Sequence, residues 1–147
     1  MTVDSLLRLD QLSESERALL EAALEVAQRA YAPYSRYAVG AALRASSGRI
    51  YLGCNVENAS YEATICAERS AVMQMVAAGD RSISALAVYT PEPPLGMPCG
   101  VCRQVISEFC SNATVLVGGP HGALRREFAA LLPEAFGLSP SPSAGNG

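Results

Sequence analysis

The sequence contains no lysine, so all 11 basic residues are arginine, and the formal net charge of the 147 residues is −3. A protein that binds DNA or RNA needs a basic face to neutralise phosphate groups. The charge balance therefore predicts no nucleic-acid partner and favours a small uncharged ligand. Individual arginines remain available for specific contacts.

Long apolar runs are also missing from the sequence. No stretch reaches the roughly 18 apolar residues that a membrane span requires. Residues 1–6 lack the basic start and long apolar run of a secretory signal. We therefore expect no membrane partner and a cytoplasmic location. Half of the residues are hydrophobic and 17% are charged, which is typical of a folded protein, and the length predicts one domain over residues 1–147.

The order of the predicted elements indicates an α/β fold. A capping box at Ser13 and Glu16 opens a helix that should end before Pro33. The other predicted elements are strands at 37–43 and 50–54, a helix at 65–78, a strand at 86–89, a helix at 99–109, strands at 114–117 and 123–128, and a short apolar element at 131–136. We predict a three-layer α/β/α architecture with a mixed five-stranded sheet, in which the third and fourth strands are parallel. The ordered core is expected at about 13–138, with a disordered tail at 139–147.

Three of the five cysteines are spaced as ligands of one metal ion. Cys99 and Cys102 lie at i and i+3 at the start of a predicted helix, which places both sulfur atoms on one face. Cys66 opens the preceding helix, and helix N-termini favour thiolates. Three protein ligands leave one position of a tetrahedral zinc ion open, as in catalytic sites. Glu68 is not needed as a ligand and is predicted to carry protons.

The neighbouring residue Arg69 has an electrostatic reason to lie beside this cluster. Three thiolates around a dication leave a net charge of −1. Arg69 lies at i+3 from Cys66 and is predicted to hydrogen-bond a ligand sulfur. The alternative is a surface arginine in a salt bridge. The only histidine, His121, is predicted to lie in a surface loop, and Cys54 and Cys110 are not placed as further ligands.

Two other interpretations of the cysteines remain open at this point. Cys99 and Cys102 form a Cys-x-x-Cys pattern, which is often a redox motif, and Cys66 would then be unrelated to it. A purely structural zinc site would require a fourth ligand, which the spacing does not supply.

With these motifs in view, the sequence resembles the cytidine deaminase family, of the small homotetrameric type. The resemblance extends from about Glu16 to Phe136 and rests on five motifs in order, at 32–43, 53–61, 64–71, 98–104 and 131–136. It implies a cytidine deaminase-like fold and one zinc ion per subunit. The implied reaction is hydrolytic deamination of cytidine and 2′-deoxycytidine in pyrimidine salvage, with release of ammonia.

The resemblance also implies how a nucleoside would be bound. Asn55 and Glu57 would hold the ribose hydroxyls, and the backbone N–H of Ala67 would meet the ring carbonyl. Tyr37, which stands where phenylalanine is more usual, would form an aromatic wall. Phe136 would complete that wall from a neighbouring subunit, so that the active sites of a homotetramer are shared.

Three rival functions are compatible with the metal motifs. A blasticidin-type antibiotic nucleoside deaminase shares them, although the loop at 55–61 follows the cytidine pattern. A polynucleotide-editing deaminase would need the basic surface that this sequence lacks. A zinc-stabilised interaction module would fold with zinc and leave cytidine unchanged.

Overall fold

The computed structural model describes residues 5–138, so the predicted disordered tail lies outside the described residues. The helices are α1 (Glu14–Ala27), α2 (Ala67–Ala77), α3 (Gly100–Ser107) and α4 (Phe128–Leu131). The strands are β1 (Gly40–Ala45), β2 (Ile50–Cys54), β3 (Ile83–Tyr89), β4 (Thr114–Gly119) and β5 (Gly122–Glu127). Among residues 5–138, no helix is both long and apolar enough to cross a bilayer.

The five strands form one mixed sheet in the order β2-β1-β3-β4-β5. β1 pairs antiparallel with β2 and with β3, β3 pairs parallel with β4, and β4 pairs antiparallel with β5. The predicted mixed sheet and the parallel pair joined by a helix are therefore confirmed. A right-handed crossover through α3 is the connection that such a pair requires.

Successive side chains of a strand point to opposite faces of the sheet, and the central strands β1, β3 and β4 are buried at nearly every position, so both faces of the sheet are buried. On one face, Ala42, Ala87 and Leu116 pack against α1. On the other face, Leu43 and Val88 belong to the larger cluster that includes residues of α2 and α3. The predicted three-layer α/β/α architecture is confirmed, and α2 and α3 lie side by side on one layer.

β1 begins three residues later than predicted, at Gly40 rather than at residue 37. Strand pairing with β2 stops at the Gly40–Cys54 pair. Beyond it, the Asn55 side chain takes the place of a strand partner. Its Oδ1 accepts from Val39 N at 2.8 Å and its Nδ2 donates to Tyr37 O at 2.8 Å. Val39 nevertheless packs against the larger core cluster, on the same face as Ala41 and Leu43 of β1.

Other element boundaries also differ from the prediction. β3 begins at Ile83, three residues earlier than predicted. α2 begins at Ala67 instead of residue 65, because Ile65 is paired with Val56 through backbone hydrogen bonds of 2.9 and 3.0 Å. No helix or strand forms over the predicted apolar element at 131–136, because the short helix α4 ends at Leu131 and the chain beyond it is irregular.

The N-terminal residues are also attached to the sheet. Leu7 exchanges two backbone hydrogen bonds with Ala123 of β5, at 2.8 and 2.9 Å. A short 3-10 helix follows at Leu9–Gln11. The described structure therefore starts before residue 13, where the ordered core was expected to begin.

Candidate active site

The starts of α2 and α3 bring three cysteines together. Cys66 is the N-cap residue of α2, Cys99 is the N-cap residue of α3, and Cys102 lies in the first turn of α3. All three sulfur atoms lie within 4.8 Å of one another. Among residues 5–138, this is the one cluster of potential metal ligands. It forms because both helices begin at one edge of the sheet, on the layer they share.

The geometry of the cluster fits a zinc ion. Two sulfur atoms bound to a tetrahedral zinc at about 2.3 Å are about 3.8 Å apart. The Sγ atoms of Cys66 and Cys99 are 3.9 Å apart. Cys102 is buried, Cys66 is half-buried and Cys99 is exposed, so one side of the cluster remains open to solvent. Three soft sulfur donors with an open side are the donor set of a catalytic zinc site.

Arg69 lies beside the sulfur cluster, as the spacing predicts. Its Nη2 is 3.8 Å from Cys66 Sγ and donates to Thr64 O at 3.2 Å. The pKa of Cys66 is lowered to about 5, chiefly by a hydrogen bond from Cys102 and also by the Arg69 guanidinium. The same bond to Cys66 raises the pKa of Cys102. The first thiolate of the cluster is therefore on Cys66.

Glu68 is buried next to the cysteines, with 4% of its surface exposed. Its Oε2 lies 3.9 Å from Cys102 Sγ. Burial raises the pKa of Glu68 to about 7, and the negative charge of Cys66 acts in the same direction. A carboxyl group with a pKa near neutrality can both take and give a proton.

The residues expected to bind a sugar lie in the loop after β2. The Asn55 side chain is buried and tied to the backbone of Tyr37 and Val39. Glu57 Oε1 accepts from Tyr34 N at 3.0 Å and from Ser35 N at 3.1 Å. Desolvation acts to raise the pKa of Glu57, but the bonds from Ser35 and Tyr34 outweigh it, so that this pKa lies below its usual value.

This loop is joined to the sulfur cluster through the backbone. Val56 pairs with Ile65, the residue before Cys66. Ala67 is fully buried and is the first helical residue of α2. Backbone N–H groups in the first turn of a helix have no partner within the helix. The Ala67 N–H can therefore donate to a bound group.

The hydroxyl of Tyr37 has a definite partner. It donates to the backbone carbonyl of Pro94, in the proline-rich loop that leads to Pro98 and Cys99. Gly96 of the same loop lies close to this hydroxyl. A Cβ at position 96 would be 3.3 Å from the Tyr37 hydroxyl oxygen and 2.7 Å from Thr90 Cγ2, so a larger residue would crowd this contact. The hydroxyl that distinguishes tyrosine from phenylalanine at this position therefore holds the loop before the metal ligands.

Phe136 differs from the other predicted site residues in its surroundings. Its side chain is 71% exposed. Its backbone carbonyl accepts from Gln104 Nε2 at 3.0 Å. The neighbouring Arg103 donates from Nε to Pro98 O at 2.7 Å and from Nη1 to Leu131 O at 2.8 Å. Sequence reasoning gave Arg103 and Gln104 no role, although both lie in the motif at 98–104.

The other residues considered from the sequence lie apart from the cluster. Cys54 ends β2, where its Sγ lies 3.7 Å from Arg29 O. Cys110 follows α3, and burial raises the pKa of its thiol to about 11. His121 is exposed in the turn between β4 and β5, so the surface-loop prediction is confirmed.

The sulfur cluster lies within a region that known deaminases share. The zinc-binding region of cytidine and deoxycytidylate deaminases matches residues 13–118. The chain is 48% identical to a cytidine deaminase of Sporosarcina psychrophila over 111 residues, which cover 74% of this chain and 82% of that protein. It is 42% identical to a cytidine deaminase of Mycobacterium tuberculosis H37Rv over 120 residues, which cover 82% of this chain and 88% of that protein.

Solved structures agree with these relationships. The crystal structure of a cytidine deaminase from Burkholderia pseudomallei superposes with a TM-score of 0.78 at 40% identity, covering 85% of this chain and 100% of the other. A cytidine deaminase structure from Mycobacterium tuberculosis gives a TM-score of 0.72 at 43% identity. The zinc prediction is confirmed by the matched zinc-binding region together with the three clustered thiols. This chain belongs to the cytidine and deoxycytidylate deaminase family.

Proposed function

We propose that this protein catalyses the hydrolytic deamination of cytidine and 2′-deoxycytidine to the corresponding uracil nucleosides, with release of ammonia. One observation carries the proposal: the buried carboxyl group of Glu68 lies 3.9 Å from one of three clustered thiols. A metal ligand set and a proton carrier are thereby combined in one site. The reaction needs both, because water must be activated and an amine must be protonated before it leaves.

Cys66, Cys99 and Cys102 would hold one zinc ion per subunit. When bound, zinc supplies Lewis-acid activation of the water that attacks C4 of the pyrimidine. Arg69 offsets part of the negative charge of three thiolates through its contact with Cys66. The helix N-termini at Cys66 and Cys99 favour the thiolate forms in the same way.

Glu68 would move the protons of the reaction. It would accept one proton from the attacking water and deliver it to ring N3. It would then accept the second proton of that water from the new hydroxyl at C4 and deliver it to the departing amine, as the C4 carbonyl forms and the C–N bond breaks. Its pKa of about 7 suits this alternation, because neither the acid nor the carboxylate form is strongly favoured near neutral pH. Its burial also keeps the carboxyl group away from bulk water.

The nucleoside would be held by groups that retain free hydrogen-bonding capacity. The Asn55 amide uses one N–H and one lone pair for the backbone and keeps another of each for a sugar hydroxyl. Both bonds to Glu57 use Oε1, which leaves Oε2 for a second hydroxyl. The Ala67 N–H would donate to the ring carbonyl. The ring of Tyr37 would face the base, with Phe136 arriving from a neighbouring subunit.

Several wider features belong to the same proposal. We infer a homotetramer, because the exposed ring of Phe136 is suited to complete the site of another copy. We further propose a single domain over residues 1–147, a cytoplasmic location and a role in pyrimidine salvage. The partner would be a free nucleoside rather than a nucleic acid, as the net charge of −3 favours.

A substrate panel tests the proposal directly. Purified protein with one zinc per chain is incubated with cytidine, 2′-deoxycytidine, cytosine, blasticidin S or short single-stranded DNA. We expect loss of ultraviolet absorbance with the two nucleosides and equimolar ammonia release. Turnover of blasticidin S alone would establish the antibiotic-nucleoside alternative. No turnover of any substrate by the zinc-loaded protein would favour an interaction module.

A further inference from the structure

The segment at 133–138, which carries Phe136, is not held in place by apolar packing. All of its residues are exposed, and Phe136 and Leu138 are exposed by 71% and 77%. Packing against the larger core cluster ends at Leu131 and Leu132. Beyond them, a cavity of about 470 Å³ lies between the segment and the end of α3. Apolar packing therefore does not determine the position of this segment.

Two consecutive residues of α3 attach this part of the chain. The guanidinium of Arg103 donates two hydrogen bonds, from Nε to the Pro98 carbonyl at 2.7 Å and from Nη1 to the Leu131 carbonyl at 2.8 Å. Gln104 donates from Nε2 to the carbonyl of Phe136 at 3.0 Å. Within residues 5–138, the bond from Gln104 is the one hydrogen bond that joins 133–138 to the rest of the chain.

These attachments start from the metal-binding turn itself. Arg103 and Gln104 directly follow Cys102, and Pro98 directly precedes Cys99. The start of α3 therefore carries two sulfur ligands, and the next residues of the same helix hold the segment at 133–138. The backbone position of Phe136 is set relative to the cluster by a side chain only two residues from a ligand.

We propose that Gln104 is a positioning residue for Phe136, and that it thereby places the aromatic ring that faces the base in a neighbouring copy. This inference rests on the proposed nucleoside deaminase function. Contact between an aromatic ring and a base depends on ring separation and angle. Without this attachment, the segment at 133–138 would sample many conformations. The ring of Phe136 would then occupy its base-facing position in a smaller fraction of the molecules. Substrate affinity would fall, and the chemistry at C4 would not change.

Gln104→Met tests this inference, with Gln74→Met as a matched control. Methionine keeps the length and helix propensity of glutamine and removes the amide donor. Gln74 also donates from its amide to a backbone carbonyl, that of Leu52, but it lies on α2 away from 133–138. We expect Gln104→Met to raise the KM for cytidine about threefold to tenfold, as loss of one hydrogen bond would. The kcat should stay within about twofold and the control should match the wild type.

A double-mutant cycle separates positioning from a general structural effect. If Gln104 acts through Phe136, then Gln104→Met causes no further rise in KM in a Phe136→Ala background. Zinc content and mass by light scattering are measured for every variant and should be unchanged. The inference would be overturned if the increase in KM of the double variant equalled the product of the two single-variant increases. A wild-type KM for Gln104→Met would also overturn it.

Limited proteolysis distinguishes failure of this inference from failure of the proposed function. We expect faster chymotryptic cleavage after Phe136 in Gln104→Met than in the wild type, with the rest of the chain equally resistant in both. This readout does not require turnover. Inactive wild-type protein with faster cleavage in the variant would refute the deaminase function and the placement of the base-facing ring, while the attachment would stand. Equal cleavage rates after Phe136 would refute the attachment itself.

Discussion

The guanidinium of Arg69 lies 3.8 Å from the sulfur of Cys66, one helical turn earlier on α2. The same Nη2 atom donates to Thr64 O at 3.2 Å, which holds the side chain against the ligand. Its Nε is buried without a hydrogen-bond partner among residues 5–138. A cation is thus kept beside a thiolate at some cost in hydrogen bonding, as expected if charge neutralisation of the cluster is its role.

Arg69→Gln should weaken zinc binding. Removal of a group that hydrogen-bonds a ligand costs about 10-fold to 100-fold in metal affinity or activity. The affinity is measured by competition with a chromophoric chelator. Arg81→Gln is the control, because Arg81 also donates to backbone carbonyls near α2 but at the far end of the helix. Equal zinc affinity and turnover in Arg69→Gln and wild type would remove the charge-offset role.

Glu68→Gln should abolish turnover while the zinc remains. The amide keeps the shape of the side chain but cannot exchange protons, and positioned acid–base groups contribute about 100-fold to 10,000-fold in rate. Glu68 Oε2 contacts Cys102, but the three sulfur atoms are sufficient to hold the metal. Metal content by atomic absorption and kcat for cytidine are measured together, and Glu68→Ala provides a second loss of the carboxyl group. Full turnover in either variant would show that another group carries the protons.

The ion pair between Glu16 and Arg125 should make stability depend on acid pH. Arg125 bonds both carboxylate oxygens of Glu16, at 2.6 and 2.7 Å, and this lowers the pKa of Glu16 to about 2. Its ordinary value is 4.5, so the contribution is complete above about pH 4.5 and is lost as pH falls towards 2. The full pKa change would amount to about 3 kcal/mol. Because Arg125 is 38% exposed, screening reduces this to about 1 kcal/mol.

Thermal unfolding of Arg125→Met measures this contribution. At pH 7 we expect a Tm about 2–4 °C below that of the wild type, and a smaller difference at pH 3. Arg126→Met is the matched control, because Arg126 is the next residue of β5. Its guanidinium donates to the carbonyl of Arg125 and forms no ion pair within residues 5–138. A Tm difference that stayed constant from pH 7 to pH 3 would contradict the pKa assignment.

The three clustered cysteines could be predicted from the sequence because each lies at the start of a helix, where short-range spacing determines the position of the side chain. Cys99 and Cys102 share a helix face at i and i+3, and a cysteine at a helix start is brought to the sheet edge by any α/β crossover. Arg69 follows from Cys66 by its i+3 spacing, whereas Glu68 was identified by the zinc-deaminase signature, in which a glutamate lies two residues after the first ligand. The order of strands and helices likewise predicted the layers, and the central strands are short apolar runs, as expected for a sheet that is covered on both faces.

The remaining features depend on side chains that bond distant backbone groups. Asn55 ends β1 early by binding Tyr37 and Val39, which are separated from it by a whole hairpin. Gln104 binds the carbonyl of a residue 32 positions away. Neither contact has a periodic or spacing signal, because it depends on where the folded chain places a backbone carbonyl or N–H. Such contacts must be read from the structure.

Gly53→Ala should displace α2 and thereby disturb the metal ligands. A Cβ at this position of β2 would meet the Ala67 carbonyl and would lie 2.5 Å from Ala71 N. Both are backbone atoms of α2 and cannot move without the helix, so overpacking should cost about 1–3 kcal/mol. Because Cys66 and Glu68 lie at the start of this helix, zinc affinity should fall together with Tm.

Gly40→Ala is the control that separates the two effects. Its Cβ would lie 2.6 Å from Ala27 N and would press on α1, on the opposite face of the sheet. Both variants should therefore lose several degrees in Tm, while chelator competition at 10 °C should show weaker zinc binding for Gly53→Ala alone. Wild-type zinc affinity in folded Gly53→Ala would show that the approach of β2 to α2 does not position the cysteines. Such a result would leave the loop contacts of Ile65 and Val56 as the elements that place Cys66.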